Sequence, residues 1–578
     1  MKVYLFLFLV FCSAVYGQIL NPSGKPAVKD PYFNSAVPNS TPSEKIKHVH
    51  SDTFSKDPNK YDGNIYFQGS VVFTHQGSTL SADEVIFYEE QNFAKAIGNV
   101  KLQNADGSVI TANEMEYDGV TQRGIAKKNV VLTDPKQTIK TETLYYDKLS
   151  NNAYFNTGGT ITSGTSTIYT KSANYNVSSR MIDLTGNVKI DNQQYTLEGQ
   201  NIIQNQNTNV ATFTGPTTII NKSNPANRVY TENGTYNQNT KEVYLNKNSV
   251  IYYNGKQLTG DKLYYNQITG FGKGNGNVTL WDPKERRYIK GGYGEIYEFK
   301  DSAMITQKPY AVKMLEKDSM YFGAERLIAY QKIVDSTNIK KSFLRGYKKA
   351  RFYKSNAQAR GDSISFNETD GIMHLMVKPI LWSGAKQVSG EKVEAYFNTE
   401  KEYIDSLKVI GNAFAISKAD SLNLKDEFNQ VKGKFMTVYY KENEVERATV
   451  VGNAQAILYA DEEDAKTGEK DRIGVEKTSC GTIEVLITNN KVHVISCNIG
   501  AISDTYPMSK ISKEDRFFPD FNWNTKDRLM TWKDIFEDSP NYPEIQYLED
   551  NPYFDKVRRE MEETQKREEA KKPKRTRK

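Results

Sequence analysis

The sequence predicts an all-β protein: two elongated antiparallel sheets facing each other, built from about 14 two-strand repeats. Three observations predict it. A glycine or turn residue followed by a short Val-x-Leu-like strand recurs about every 30 residues. The segments between alternate apolar and polar residues. Aromatic residues reach 12%, with 37 Tyr and 26 Phe, and these types favour strands and a packed chain over disorder.

Residues 1–17 read as a secretory signal: Met1-Lys2, an apolar run from Val3 to Cys12, then small residues ending at Gly17. Phe11 before Cys12 argues against lipid attachment there. Residues 18–62 carry six prolines (Pro22, Pro26, Pro31, Pro38, Pro42 and Pro58) and read as an extended arm. Residues 63–300 hold the clearest repeats and 301–502 more divergent ones with insertions, which leaves open one rod or a break near 300 to 350. Residues 503–550 read as an irregular aromatic segment with Trp523 and Trp532, and 551–578 as a charged basic tail.

The anchors run from Gly69-Ser70-Val71 and Gly98-Asn99-Val100 through Lys128-Asn129-Val130 and Gly186-Asn187-Val188 to Gly276-Asn277-Val278. Weaker copies follow at Lys308-Pro309, Gly346-Tyr347, Lys378-Pro379, Gly411-Asn412-Ala413, Gly452-Asn453-Ala454 and Cys497-Asn498. Between anchors lies a second signature: small residue, acidic or polar residue, then an apolar residue and an aromatic two further on. Ala82-Asp83-Glu84-Val85-Ile86-Phe87 and Gly260-Asp261-Lys262-Leu263-Tyr264-Tyr265 show it. Each unit therefore holds two strands, giving about 28 strands, about 14 in each sheet.

In Met181–Ile190 the residues Ile182, Leu184, Val188 and Ile190 share one face, and Asp183, Thr185, Asn187 and Lys189 the other. Period two with one apolar and one wet face describes an antiparallel sheet solvated on one side. One two-strand unit cannot bury its apolar face alone, whereas stacked units enclose it between two sheets. That interior is either a filled core or an open groove, and periodicity does not separate the two.

Cys480 and Cys497 flank a hairpin turn at Thr488–Lys491, opposite or diagonal to one another, and in an exported chain are expected to form a disulfide. The first strand, about Asn64–Thr74, and the last, about Val492–Ala501, are the expected sheet edges, with the chain after Asp504 available to cap one. The tail holds a surplus of five positive charges out of a net +6, so the folded body is nearly neutral and offers no nucleic-acid footprint.

No catalytic constellation, metal site or cofactor is expected. His48-x-His50 lacks further ligands at metal-site spacing. The glycines at 270, 272, 274 and 276 lead into a strand and not a helix, so they read as a hairpin loop. No Gly-x-Ser-x-Gly or His-Glu-x-x-His occurs. No run of 18 apolar residues follows the leader.

The repeated Gly-Asn-Val-x-Leu, preceded by the Ala-Asp/Glu signature behind a signal peptide, resembles the OstA-like family of lipopolysaccharide-transport proteins over about residues 63–460, best over 63–290. That resemblance implies a periplasmic jellyroll, associated or not with the outer or inner membrane, whose interior carries lipopolysaccharide or lipooligosaccharide toward the outer membrane. It implies partners that join by strand-edge addition: other jellyroll components of the bridge and the outer-membrane translocon. It places Val85, Phe87, Val100, Leu102, Met115, Tyr117, Val130, Leu132, Ile182, Leu184, Val188, Ile190, Val278 and Leu280 on the lipid groove. The chain departs from the family pattern in being longer than its simple periplasmic bridge while lacking room for a large outer-membrane barrel. The rival readings are a structural or adhesive β-repeat protein with a filled core, and a polysaccharide-acting β-helix enzyme, for which no charged cluster on consecutive rungs is visible.

Overall fold

The computed structural model describes residues 44–539, apart from 317, 335–337, 401–402, 420–425, 443, 464–469 and 489–490. The signal segment, residues 18–43 of the arm and the tail at 551–578 lie outside the described residues. The described chain is all-β, with antiparallel strands and only short 3-10 turns. No helix is long and apolar enough to cross a membrane, which says nothing of strands.

The Gly-Asn anchors, with Gly69-Ser70 and Lys128-Asn129, are corners inside strands, whereas Lys378-Pro379 lies between Ile372–Met376 and Ile380–Ser383. Gly98 and Asn99 sit mid-strand in Phe93–Gln103 with successive φ values of 75° and 42°. Two left-handed residues in a row bend the strand and shift its register between Ile97 and Val100. The same shift occurs at Gly69-Ser70, Lys128-Asn129, Gly276-Asn277, Gly411-Asn412 and Gly452-Asn453. Glycine has no Cβ to clash there, and asparagine is among the side chains that tolerate this region best.

The two sequence signatures meet at these corners. Asn99 Nδ2 donates to Asp83 Oδ2 at 2.9 Å, Asn277 Nδ2 to Asp261 Oδ2 at 3.2 Å, and Asn412 Nδ2 to Glu391 Oε1 at 2.8 Å. The acidic residue lies directly over the neighbouring glycine: a Cβ at Gly98 or Gly276 would collide with the Asp83 or Asp261 carboxylate. The small-acid motif of one strand and the Gly-Asn of the next are two halves of one fitting.

Each strand is thus split between two leaves. Leaf one takes segments such as 84–88, 93–97 and 114–118; leaf two takes 78–82, 100–103 and 109–112. This corrects the expectation of separate strands, about 14 in each sheet, since a long strand serves both leaves. Three further expectations are corrected. Gly272 and Gly274 lie within the strand Phe271–Asp282 and not in a loop; a Cβ at Gly272 would press on the Tyr265 ring, and one at Gly274 on Val278 and Leu263. The strand Ile65–His75 is not an edge, because Lys47–His50 and Thr53–Lys56 of the arm pair along it. The weak anchors at Gly346 and Cys497 fall two residues early: the left-handed pairs are Lys348-Lys349 and Ile499-Gly500.

The chain divides into two compact units at residues 193–208, not near 300 to 350. In the first unit, leaf two carries an in-register inner row of Phe73, Leu80, Leu102, Ile110, Leu132, Ile139, Ile161, Ile168 and Ile190, all buried. Leaf one carries Ala94, Tyr117, Gly124, Tyr146, Ala153 and Tyr175, so each tyrosine stands beside a residue small enough to leave room for its ring. The outward row through Lys101, Thr111, Lys140, Tyr169 and Lys189 is mostly wet.

In the second unit the corresponding face of leaf two is covered by that unit's own C-terminal segment. After the last strand, Ile502–Pro507, the chain doubles back as a strap over the outer face of leaf two. Ile511 packs on Ile457 and Val475; Phe517, Phe518, Phe521 and Trp523 pack on Phe414, Ile416 and Phe428; Leu529, Trp532, Ile535 and Phe536 pack around Tyr288, Tyr310 and Val312. Buried glutamines fasten it. Gln430 Nε2 donates to the Arg516 carbonyl (2.9 Å) while the Phe518 N–H donates to Gln430 Oε1 (3.0 Å). Gln387 repeats this with the Asn522 carbonyl (2.7 Å) and the Asn524 N–H (2.8 Å). Each amide imitates one bridge of a β-ladder and leaves no strap polar group stranded at that point. The expectation that this segment caps a sheet edge is therefore corrected: beyond Pro507 it lies on a face.

Cys480 and Cys497 are joined by a disulfide, their Cα atoms 6.0 Å apart. Cys497 is in register with Ile483, so the pair is diagonal across the last strands.

Candidate functional site

The leaf interiors differ between the units, and the difference locates the candidate site. In the second unit the inner row of leaf two runs in register through Leu258, Leu280, Ile289, Ala311, Phe322, Phe352, Ala359, Leu381, Val388, Ala415, Val431 and Ala456. The facing row of leaf one includes Tyr265, Gly272, Ile296, Ala303, Ala329, Leu344, Met373, Ala395, Leu407 and Val438. Alanine and glycine occupy many of these positions, so opposed side chains do not meet everywhere.

Two cavities result. One, of about 230 Å³, is walled by Leu258, Leu280, Ile289, Ile296, Ala303, Ala311 and Leu344. The other, of about 470 Å³, is walled by Phe352, Leu381, Val388, Ala395, Leu407, Ala415, Val431 and Val438. Stacked Phe322 and Phe366 (5.6 Å) and the Phe322–Phe352 pair (5.2 Å) stand where the two walls adjoin. Interiors normally close to crystal-like density, so apolar voids of this size mark space for an apolar guest.

The rims are charged and lie at the outer ends of the leaves, away from the corners. Around the smaller cavity stand Lys256, Asp282, Arg287 and Lys313 from leaf two, and Glu298, Asp301 and Glu368 from leaf one. Arg287 pairs with Glu368 across the mouth and with Asp282 at 3.4 Å. The Tyr265 hydroxyl donates to Glu298; burial, then that bond, pushes the phenol above its ordinary range.

In the first unit polar ties close the corresponding mouth. The Tyr175 hydroxyl donates to Asp134 Oδ2 (2.7 Å), which Arg180 also contacts at 3.1 Å. Lys148 Nζ donates to the Gln76 carbonyl and to Ser78 Oγ (2.9 Å). His75 shares a hydrogen bond with the Tyr117 hydroxyl (2.8 Å) and donates from Nε2 to the Glu44 carbonyl (2.8 Å). Ile46 then packs in, its N–H on Asn92 Oδ1 (2.8 Å).

This closure depends on pH. Burial, with Lys148 nearby, holds the His75 imidazole below its ordinary value, although the Glu44 carbonyl opposes this. The unfolded chain then binds the proton more readily, so stability is full above about pH 6.5 and falls as pH drops through that value toward the depressed folded pKa. Urea midpoints at pH 7.5 and 5.0 should show this slope, and His75→Gln should flatten it.

Of the residues expected to line a groove, Val85, Phe87, Val100, Leu102, Met115, Tyr117, Val130, Leu132, Ile182, Leu184, Val188 and Ile190 are buried between the leaves of the first unit. Val278 is buried in the second unit, against the positions of Gly274 and Gly294. Leu280 stands on the wall of the smaller cavity, with Leu258, Ile289 and Ile296 of the clear repeats beside it. The walls of the larger cavity belong to divergent repeats where the motif signal fades. His48 lies on the Phe67 ring at 4.4 Å with its Nε2 near Ser51 Oγ (3.1 Å). Among the described residues no group of three His, Cys, Asp or Glu is placed to hold a metal.

Two bent leaves enclosing an apolar interior define the described chain as an all-β, jellyroll-like protein. Residues 43–200 and 162–261 match the family model described as OstA-like protein, so this part of the chain is similar to that family. No curated protein matches the chain.

Proposed function

We propose that this protein shelters the acyl chains of lipopolysaccharide or a related lipooligosaccharide in the periplasm, on the way to the outer membrane, and that the second unit does the sheltering. The observation that carries this is the unbroken apolar inner row from Leu258 to Ala456 facing two unfilled cavities. The energetics suit it: exposing one buried CH₂ costs about 0.8 kcal/mol, so a 12-carbon chain resists water by roughly 9–10 kcal/mol. A continuous apolar wall lowers that barrier without any catalytic residue, and the energy for directed movement comes from a partner. Free strand edges at Lys491–Asn498 and Ile502–Pro507, with exposed Val494, Ile495 and Ile502, support joining to other jellyroll components or the outer-membrane translocon by strand addition.

The filled-core reading has an observation in its favour too, confined to the first unit, where the inner rows are buried and the mouth is tied shut. The unit then acts as a spacer carrying the second. Photo-crosslinkers at Leu280 and Val388, against Val188 as the closed control, separate these roles in cells. Lipid adducts are expected at the first two positions and not at Val188. Ala415→Trp, which fills the larger cavity, should abolish the Val388 adduct. Folded protein without adducts at either cavity would refute the transport reading.

A further inference from the structure

The mouth of the smaller cavity carries a bridge with a second use. Arg287 opens the strand Arg287–Tyr297 at the outer end of leaf two, and Glu368 lies in the turn beyond Asn367 at the outer end of leaf one. Their ion pair spans the two leaves, with side chains 18% and 15% exposed, directly above Leu280, Ile289 and Leu344. An amphiphile whose tail enters this cavity must bring its headgroup to that bridge.

The charges there are unevenly spent. Glu298 is engaged by the Tyr265 hydroxyl and Asp301 by Lys340 Nζ at 2.6 Å. Lys256, on the same wall, makes no ion pair among the described residues. The mouth therefore carries charge of both signs: Glu298 is met by a neutral phenol, Arg287 is shared between Asp282 and Glu368, and Lys256 is a cation with no carboxylate on it. A guanidinium also presents a planar fork that fits phosphate or carboxylate oxygens in pairs, which an ammonium does not. Glu368, on a turn, can swing to water when replaced, so no buried charge need be left alone.

We infer that Arg287 seats the anionic headgroup of an acyl-chain amphiphile, the headgroup taking the place of Glu368 while the tail fills the cavity below. This rests on the reading of the cavities as acyl-chain shelters. Lys256 adds the second positive charge beside the seat. The bridge consequently acts as a selective closure: an anionic amphiphile recovers the ion pair it breaks, and a neutral one does not.

The test is calorimetric titration of the full chain with dodecyl phosphate and with dodecyl maltoside, each below its micellar concentration. The wild type is expected to bind both, the phosphate about tenfold more tightly. Glu368→Gln should tighten both probes by about fivefold, since neither then breaks an ion pair, and leave the phosphate preference in place. The double variant Arg287→Met with Glu368→Gln, which removes both ends of the bridge and whose folding is checked by thermal unfolding, should cut the phosphate preference to about twofold, the remainder belonging to Lys256. Equal affinities in the wild type, or an about tenfold phosphate preference that survives the double variant, would overturn the headgroup seat while leaving the acyl-chain cavity standing. Binding of neither probe would overturn the cavity reading and this inference with it.

Discussion

Replacing Gly276 by alanine should destabilise the second unit by about 2–4 kcal/mol, whereas Gly255→Ala should cost only about 1 kcal/mol. Both glycines have left-handed backbones, with φ of 71° and 76°. A Cβ at Gly255 meets nothing within 4 Å, so the change there carries backbone strain alone. A Cβ at Gly276 also collides with the Asp261 carboxylate, whose oxygens receive the Asn277 amide. The difference between the two variants measures the corner fitting itself. Denaturant unfolding reads it, and equal losses would show that the acid-over-glycine contact contributes nothing.

A chain ending at Pro507 should lose cooperative unfolding in the second unit and bind a hydrophobic dye strongly, while the first unit unfolds as before. The strap hides side chains among the most buried in the molecule: Tyr310 and Gln430 are 0% exposed and Trp382 1%. Stripping it wets a row of rings, each worth about 1.5–3 kcal/mol when buried. Single changes dissect this. Trp532→Ala should cost about 2–3 kcal/mol, because its ring stacks on Tyr321 at 5.2 Å and lies 6.0 Å from Tyr310. Gln430→Ala should cost about 1–3 kcal/mol by orphaning the Arg516 carbonyl and the Phe518 N–H. A truncated chain that unfolds like the full one would show that the strap merely rests on the sheet.

The corners were legible where local chemistry makes them. Gly98-Asn99 and Asp83 announce themselves because few residue types accept those dihedrals. Lys348-Lys349 and Val377-Lys378 adopt the same left-handed backbone without glycine or asparagine, held there by the strands on either side. Pro379 marks the second of these, but no local signal marks Lys348-Lys349, so the anchor near Gly346 is misplaced by two residues. The inward faces were equally legible: alternation alone put Ile182, Leu184, Val188 and Ile190 between the leaves. Whether an inner face closes was not. Tyr175 and Asp134 meet across 41 residues of sequence, and the same apolar alternation lines both the tied interior and the open one. The strap's aromatics were visible as a composition, but the face they cover is set by glutamines more than 80 residues upstream, each unremarkable by itself.

Strand length changes along the second unit while the corner does not. Strands of 11 or 12 residues near its start give way to Ile404–Lys418 with 15, Glu444–Glu463 with 20 and Lys470–Thr488 with 19. With about 3.3 Å gained per residue, the added length deepens the cleft on both sides of a fixed hinge. The space between the leaves is therefore deeper at the C-terminal rungs than at Phe271–Asp282, so depth grades along the unit while the chemistry of the wall stays the same.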